Sequence, residues 1–141
     1  MYLMNFLVYL GVTIPLMIIS VVLFLLTTPY KEFKILAEGD AIDNPRKVSA
    51  AKAVAFDLGG KLLGTAILLA SAIYHSVGLW DMIVWTLTGT IFLIIVYWLF
   101  ELLTPQLKVR QEIPNGNVAV GFFSFCLSLA TGILMASLIS Y

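Results

Sequence analysis

An acid and a base, Asp57 and Lys61, stand four residues apart inside a run of apolar residues long enough to cross a bilayer, and Glu101 stands near the end of another such run. Ionisable side chains are costly in hydrocarbon. They therefore turn into the bundle, pair with one another, and are the first candidates for proton or ion relays. The i, i+4 spacing puts Asp57 and Lys61 on one helix face, with the acid toward the N-terminus in the favoured order. Helical side chains lean toward the N-terminus, so Lys61 reaches back to Asp57. Glu101 sits near a helix C-terminus, where the dipole disfavours an anion, and so needs a cation. Lys61 is the base at matching depth if the second and third apolar helices touch, with Lys108 and Arg110 as looser candidates. Three readings of Asp57, Lys61 and Glu101 stay open: a structural ion pair or triad fixing helix packing, a proton- or ion-coupled relay, and recognition of an external partner.

Other chemistries lack their parts. His75 is the sole histidine and Cys126 the sole cysteine, so neither a zinc set nor an intrachain bis-histidine haem can be assembled. A Cys–His or Ser–His–Asp arrangement has no third member. No glycine-rich phosphate loop, nucleic-acid motif or acidic calcium loop occurs, and with eight Lys plus Arg against eight Asp plus Glu no net field gathers nucleic acid. A non-enzyme without metal or cofactor is expected.

The elements that must position these residues follow from composition. Of the 141 residues, 61% are hydrophobic and 11% charged, against about 45–50% and about 25% in an ordinary soluble domain. The chain reads as one transmembrane domain, 1–141, in contact with the lipid bilayer. Apolar runs at Phe6–Thr27, Ala53–Tyr74, Met82–Leu103 and Val118–Ser140 each approach the roughly 20 residues that a hydrocarbon layer of about 30 Å requires. The first lacks a basic flank and a small-residue cleavage site, so it is expected to be retained rather than removed as a signal peptide. Lys31, Lys34, Arg46, Lys47 and Lys52 fall between the first and second runs, and Lys108 and Arg110 between the third and fourth. The positive-inside rule makes these loops, 28–52 and 104–117, cytoplasmic and both termini external. The same basic residues could contact lipid headgroups or a protein partner.

In the first helix Pro15 predicts a kink, and Tyr9, Thr13, Ser20 and Thr27 share a face. Thr28-Pro29 predicts a short interfacial helix with Thr28 as cap and Gly39 beyond its end. Tyr30, Phe33, Ile35 and Leu36 would then lie at the acyl boundary, and Lys31, Glu32 and Lys34 toward headgroups. Asp40–Ser49, with its Asn-Pro break, reads as a solvated loop. A helix starting near Ala53 would carry Asp57 about 6 Å and Lys61 about 12 Å inward. The third helix has Trp80, Trp85, Trp98 and Tyr97 near its ends as an aromatic belt, and a polar stripe of Thr86, Thr90, Tyr97, Glu101 and Thr104. Gln106–Ile113 reads as a second interfacial element. The fourth helix carries Ser124, Ser128 and Thr131 on one side and reaches the last residue, so no regulatory tail is expected. Gly60-Lys-Leu-Leu-Gly64, with Gly59 beside it, is a small-xxx-small face that suits either intramolecular packing or a homo-oligomer contact.

The chain also echoes itself. Thr65–Ile73 aligns with Thr131–Ile139 at a shift of 66, and Phe24…Thr28-Pro29 with Phe100…Thr104-Pro105 at a shift of 76. Two hairpins of like topology, about 6–74 and 82–140, would be related by an axis along the membrane normal. Asp57 and Lys61 align with Phe123 and Leu127, and Glu101 with Leu25, so the charges belong to single copies.

Thr28-Pro29…Glu38-Gly39, Leu58-Gly-Gly-x-Leu-Leu-Gly64…Leu69-Ala-Ser-Ala-Ile73 and the echo Thr104-Pro105…Asn115-Gly-Asn117-Val-Ala-Val-Gly121 together resemble the YjfL-like bacterial inner-membrane family, domain of unknown function 350, over nearly the whole chain. The resemblance implies a four-span protein of the bacterial cytoplasmic membrane with an internal repeat and no established activity, often accessory to neighbouring genes. Small or hydroxylated residues are usual in that family where Asp57 and Lys61 stand here, and the first loop is longer here. The expected function is a non-enzymatic, homo-oligomeric membrane module that forms a small ion or solute pathway or, alternatively, anchors a partner complex docking on the cytoplasmic loops. A pathway requires the polar stripes to face a hydrated lumen; an anchor requires them dry.

Overall fold

In the computed structural model, which describes residues 2–140, the apolar runs fold as four helices long and apolar enough to cross a membrane: α1 (Tyr2–Thr27), α3 (Pro45–His75), α4 (Leu79–Leu103) and α6 (Val118–Ile139). Two short helices, α2 (Glu32–Ala37) and α5 (Val109–Glu112), and a 3-10 turn at Glu38–Asp40 lie in the two long connections, and no strand occurs among the described residues. The protein is an all-α, four-span membrane protein.

Helix α1 runs unbroken through Pro15. It buries only Leu16, Ser20 and Phe24, the first against Leu69, Ala72 and Met82, so most of its surface is left for lipid.

The Asn-Pro pair expected to break the chain instead starts a helix. Asn44 is extended, its side chain accepts a hydrogen bond from the Lys47 N–H at 3.4 Å, and Pro45 takes the first helical position, where its missing N–H costs nothing. Residues 45–52 therefore belong to α3, which begins about two turns before Ala53 and carries Arg46, Lys47 and Lys52 on its surface. Its 31 residues span about 46 Å, more than the hydrocarbon thickness.

The segment after α1 also departs from expectation. Thr28 does not cap α2; that position belongs to Lys31, which has no side-chain cap bond. The Thr28 hydroxyl turns back to the Phe24 carbonyl at 2.7 Å, and Gly39 lies within the 3-10 turn. Tyr30 and Glu32, expected at the acyl boundary and the headgroups, are instead buried, while Phe33 is 60% exposed. The bend aims α2 so that one face packs Ile35 and Leu36 onto Ala53, Val54 and Tyr97, and Glu32 lies on the side that goes in with them. The second connection docks likewise, with Val109 and Ile113 fully buried in the same cluster. Its closing turn needs Gly116, where φ is 94° and a Cβ would lie 3.0 Å from the Ser49 Cβ.

Helices α3 and α6 run parallel and nearly touch at the backbone. A Cβ on Gly121 would come within 2.5 Å of the Ala53 carbonyl oxygen, one on Gly60 within 2.5 Å of the Phe125 Cα, and one on Gly64 within 2.6 Å of the Ser128 carbonyl oxygen; Gly132 backs onto Gly64. Small residues here permit the close approach by which helices associate in lipid. Gly59 is not part of this seam, since a Cβ there meets nothing.

Candidate functional site

Four segments supply Asp57, which is fully buried on α3, or its partner Lys61 with a contact, and a fifth lies alongside. Lys61, one turn on, donates to Asp57 Oδ2 at 2.9 Å. Tyr30, from the bend after α1, donates its phenolic proton to the same oxygen at 2.6 Å. Ser124 of α6 donates to Oδ1. Tyr97 of α4 places its ring 4.1 Å from the Lys61 ammonium, and its hydroxyl lies 3.4 Å from that of Tyr30. From α2, fully buried Glu32 brings a second carboxyl, whose Oε1 contacts the Thr28 hydroxyl.

The local sequence explains the convergence. Asp57 and Lys61 meet because they are one turn apart; Ser124 reaches them because the glycine seam draws α6 against α3; Tyr30 and Glu32 arrive because the chain turns at Pro29 and α2 folds back onto α3. A carboxylate receiving three donors is well satisfied in a dry environment, and a desolvated ammonium over an aromatic face gains about 2 kcal/mol or more. Burial first, and then the negative charge of Asp57, holds the Tyr30 phenol far above its ordinary range, so it stays a donor. Burial also raises the Glu32 carboxyl, against the opposing pull of the Thr28 hydroxyl.

Glu101 is not in this group, contrary to the triad that included it. Its carboxylate accepts from the Arg110 backbone N–H at 3.0 Å and pairs with Arg110 Nε at 3.2 Å. The reason lies in the connection after α4, where Lys108 adopts the left-handed region (φ 42°) and brings the first turn of α5, with its unsatisfied N–H groups, up to the carboxylate. The Arg110 side chain is 52% exposed. Lys61 is already committed to Asp57.

Most of the remaining stripe hydroxyls bond within the protein. Thr86, Thr90, Thr104 and Thr131 donate to carbonyls of their own helices, and Ser20 bonds Thr90 across the α1–α4 contact at 2.9 Å. Among the described residues, no three of His, Cys, Asp and Glu come together as a metal site. His75 is exposed and bonds to Ser71, and Cys126 is exposed on α6. Arg46 and Lys47 line a cleft of about 270 Å³ with Glu38 and Asn44.

Sequence reasoning names Asp57 and Lys61 but misses Tyr30, Glu32 and Ser124 as their neighbours and places Tyr97 in an aromatic belt and a polar stripe, not against Lys61. One signal is available: Tyr30 and Glu32 come just after a Thr-Pro that must reverse the chain at the end where Asp57 lies.

The model of the family described as Domain of Unknown Function (DUF350) matches residues 1–139. The chain belongs to this family. It is 35% identical over 129 residues to the UPF0719 transmembrane protein YshE of Bacillus subtilis (strain 168), covering 92% of this chain and 88% of that protein. No solved structure matches it. Family membership agrees with four apolar helices in a multi-pass membrane protein.

Proposed function

We propose that this DUF350 protein is a non-catalytic membrane module that works as part of a larger assembly in the bacterial cytoplasmic membrane, with both termini external and its basic connections facing the cytoplasm. The observation that carries this reading is the closure of the charged site. Asp57 and Lys61 are 0% and 2% exposed, every Asp57 oxygen is bonded, and the threonines turn to their own backbone. A water-filled path through one copy would leave those groups open; a sealed core suits a scaffold whose working surface is elsewhere. The outward basic residues Lys31, Lys34, Arg46, Lys47, Lys52, Lys108 and Arg110 are the face on which an acidic partner or anionic headgroups would dock. The lipid-facing surface of α1 is the largest left for a second copy.

Descent from a duplicated hairpin is supported by matching punctuation in the two halves. Thr28-Pro29 and Thr104-Pro105 stand just past helix ends, a short helix comes after each, and Asn44 and Asn117 cap α3 and α6 by accepting from the backbone N–H three residues on. The parallel α3–α6 seam fits an axis along the membrane normal.

Reconstitution of the purified chain in liposomes tests the reading. Proton and potassium flux at the level of empty vesicles is expected, with more than one copy per particle in native mass spectrometry. Flux above background from the native chain would replace the scaffold with an ion pathway.

A further inference from the structure

The two buried carboxyl groups at the loop end are not equivalent. Asp57 has three donors, one of them the Lys61 ammonium. Glu32, equally buried, has among the described residues one side-chain contact, the Thr28 hydroxyl. That hydroxyl also lies against the Phe24 carbonyl oxygen at 2.7 Å. A threonine has one proton to donate, and a backbone carbonyl can only accept. Both contacts can be satisfied together if Thr28 gives its proton to Phe24 and Glu32 brings a proton of its own. The charged groups facing Glu32 pull in opposite directions, Lys61 toward the anion and Asp57 away from it. From α3 come Asp57 and Lys61, already paired with each other; from α4 comes Tyr97; Thr28 and Tyr30 stand on the bend. Of the acids on the 3-10 turn, Glu38 lies in the separate cleft with Arg46 and Lys47, and Asp40 is exposed. Lys31 and Lys34 of its own segment lie outside the buried set. Ionised Glu32 would add a second buried anion to a site holding one cation and would compete with the Phe24 carbonyl for the single Thr28 proton, whereas neutral Glu32 satisfies both contacts. A groove of about 500 Å³, lined by Thr28, Tyr30, Phe33 and Lys34 among others, reaches Glu32 from outside, so a proton has a way in and out.

We infer that Glu32 is a proton-binding site, loaded when α2 is docked, and that release of this proton to the groove undocks α2 from the loop end of the bundle. Docking is then strongest in acid. It weakens as pH climbs from the ordinary carboxylate range toward the higher value of the docked state, by about tenfold per pH unit for one proton, and levels off above it.

The full chain in lipid nanodiscs supplies the test. Infrared spectra taken above the ordinary carboxylate range should contain the carbonyl band of a buried carboxylic acid, which disappears as pH is raised further and is missing from Glu32→Gln. Hydrogen exchange, corrected for intrinsic rate, should show α2 amides losing about tenfold protection per pH unit within that window, and no such loss in Glu32→Gln. Absence of the band from the native protein just above the ordinary carboxylate range, its persistence in Glu32→Gln, or flat α2 protection in the native chain would each overturn the inference. If Glu32→Gln does not fold, the native titration decides alone: band and protection must fall together with pH.

Discussion

The protein holds two acid–base pairs near the same end of its bundle, and they are opposites. Asp57–Lys61 lies wholly inside, with Tyr30, Ser124 and Tyr97 completing its bonds. Glu101–Arg110 lies at the edge, with the arginine half in solvent. The difference teaches where this fold depends on charge. A buried pair in its full set of bonds is close to neutral as a unit, yet removing one member strands the other in low dielectric at a cost of about 3–5 kcal/mol. An edge pair loses its partner to water, and the change is about 0–1 kcal/mol.

The largest effect expected is therefore from Lys61→Met. It leaves Asp57 an uncompensated anion, and unfolding in detergent should show a loss of about 3–5 kcal/mol or failure to yield folded protein. Adding Asp57→Leu to that variant should recover much of the loss, because the stranded charge goes with it. If the double variant is as unstable as the sum of the single ones, the two residues do not act as a unit and the comparison fails. Next comes the seam that brings Ser124 to Asp57. Gly60→Val drives a side chain into the Phe125 backbone and should cost about 1–3 kcal/mol, whereas Gly59→Val, one residue away, should leave the melting temperature unchanged because nothing opposes it. Equal effects of the two would mean that the glycines serve a contact between copies instead. Smaller again is the aromatic cover. Tyr97→Leu should lose about 1–2 kcal/mol as Lys61 gives up the ring face, and Tyr97→Phe, which keeps that face, should lose less.

Legibility in the chain divides along the same line. The spans, the Asp57–Lys61 pairing and the closeness of a glycine face to another helix can be read from periodicity and from the intolerance of lipid for lone charges, which act locally or everywhere. The partners of the pair cannot, because they depend on how non-adjacent segments meet. Sequence alone puts Glu32 among headgroups, since a glutamate beside two lysines ordinarily stays in water; only the docking of α2 onto Ala53 and Val54 turns it inward. Depth alone draws Glu101 toward Lys61, and depth says nothing of the backbone reversal at Lys108 that offers it nearer donors. Asn44-Pro45 shows an ambiguity of another kind: the same dipeptide breaks a chain or caps a helix, depending on whether the residues after it have a surface to pack against.

Glu101→Gln is the smallest change and sharpens the contrast most. The amide keeps a carbonyl oxygen that can accept from the Arg110 N–H, so the bond that anchors the first turn of α5 survives, while the charge attraction to Arg110 Nε is lost. Stability measured in detergent should fall by no more than about 1 kcal/mol, and adding salt to the native protein should remove most of the difference, since a half-exposed pair is screened at ordinary ionic strength. Lys61→Met, tested in parallel, should be indifferent to salt because ions do not enter its site. A loss for Glu101→Gln as large as that for Lys61→Met, or one that salt leaves intact, would mean that the edge pair is sealed in the membrane-embedded protein and that the two sites work as one cluster after all.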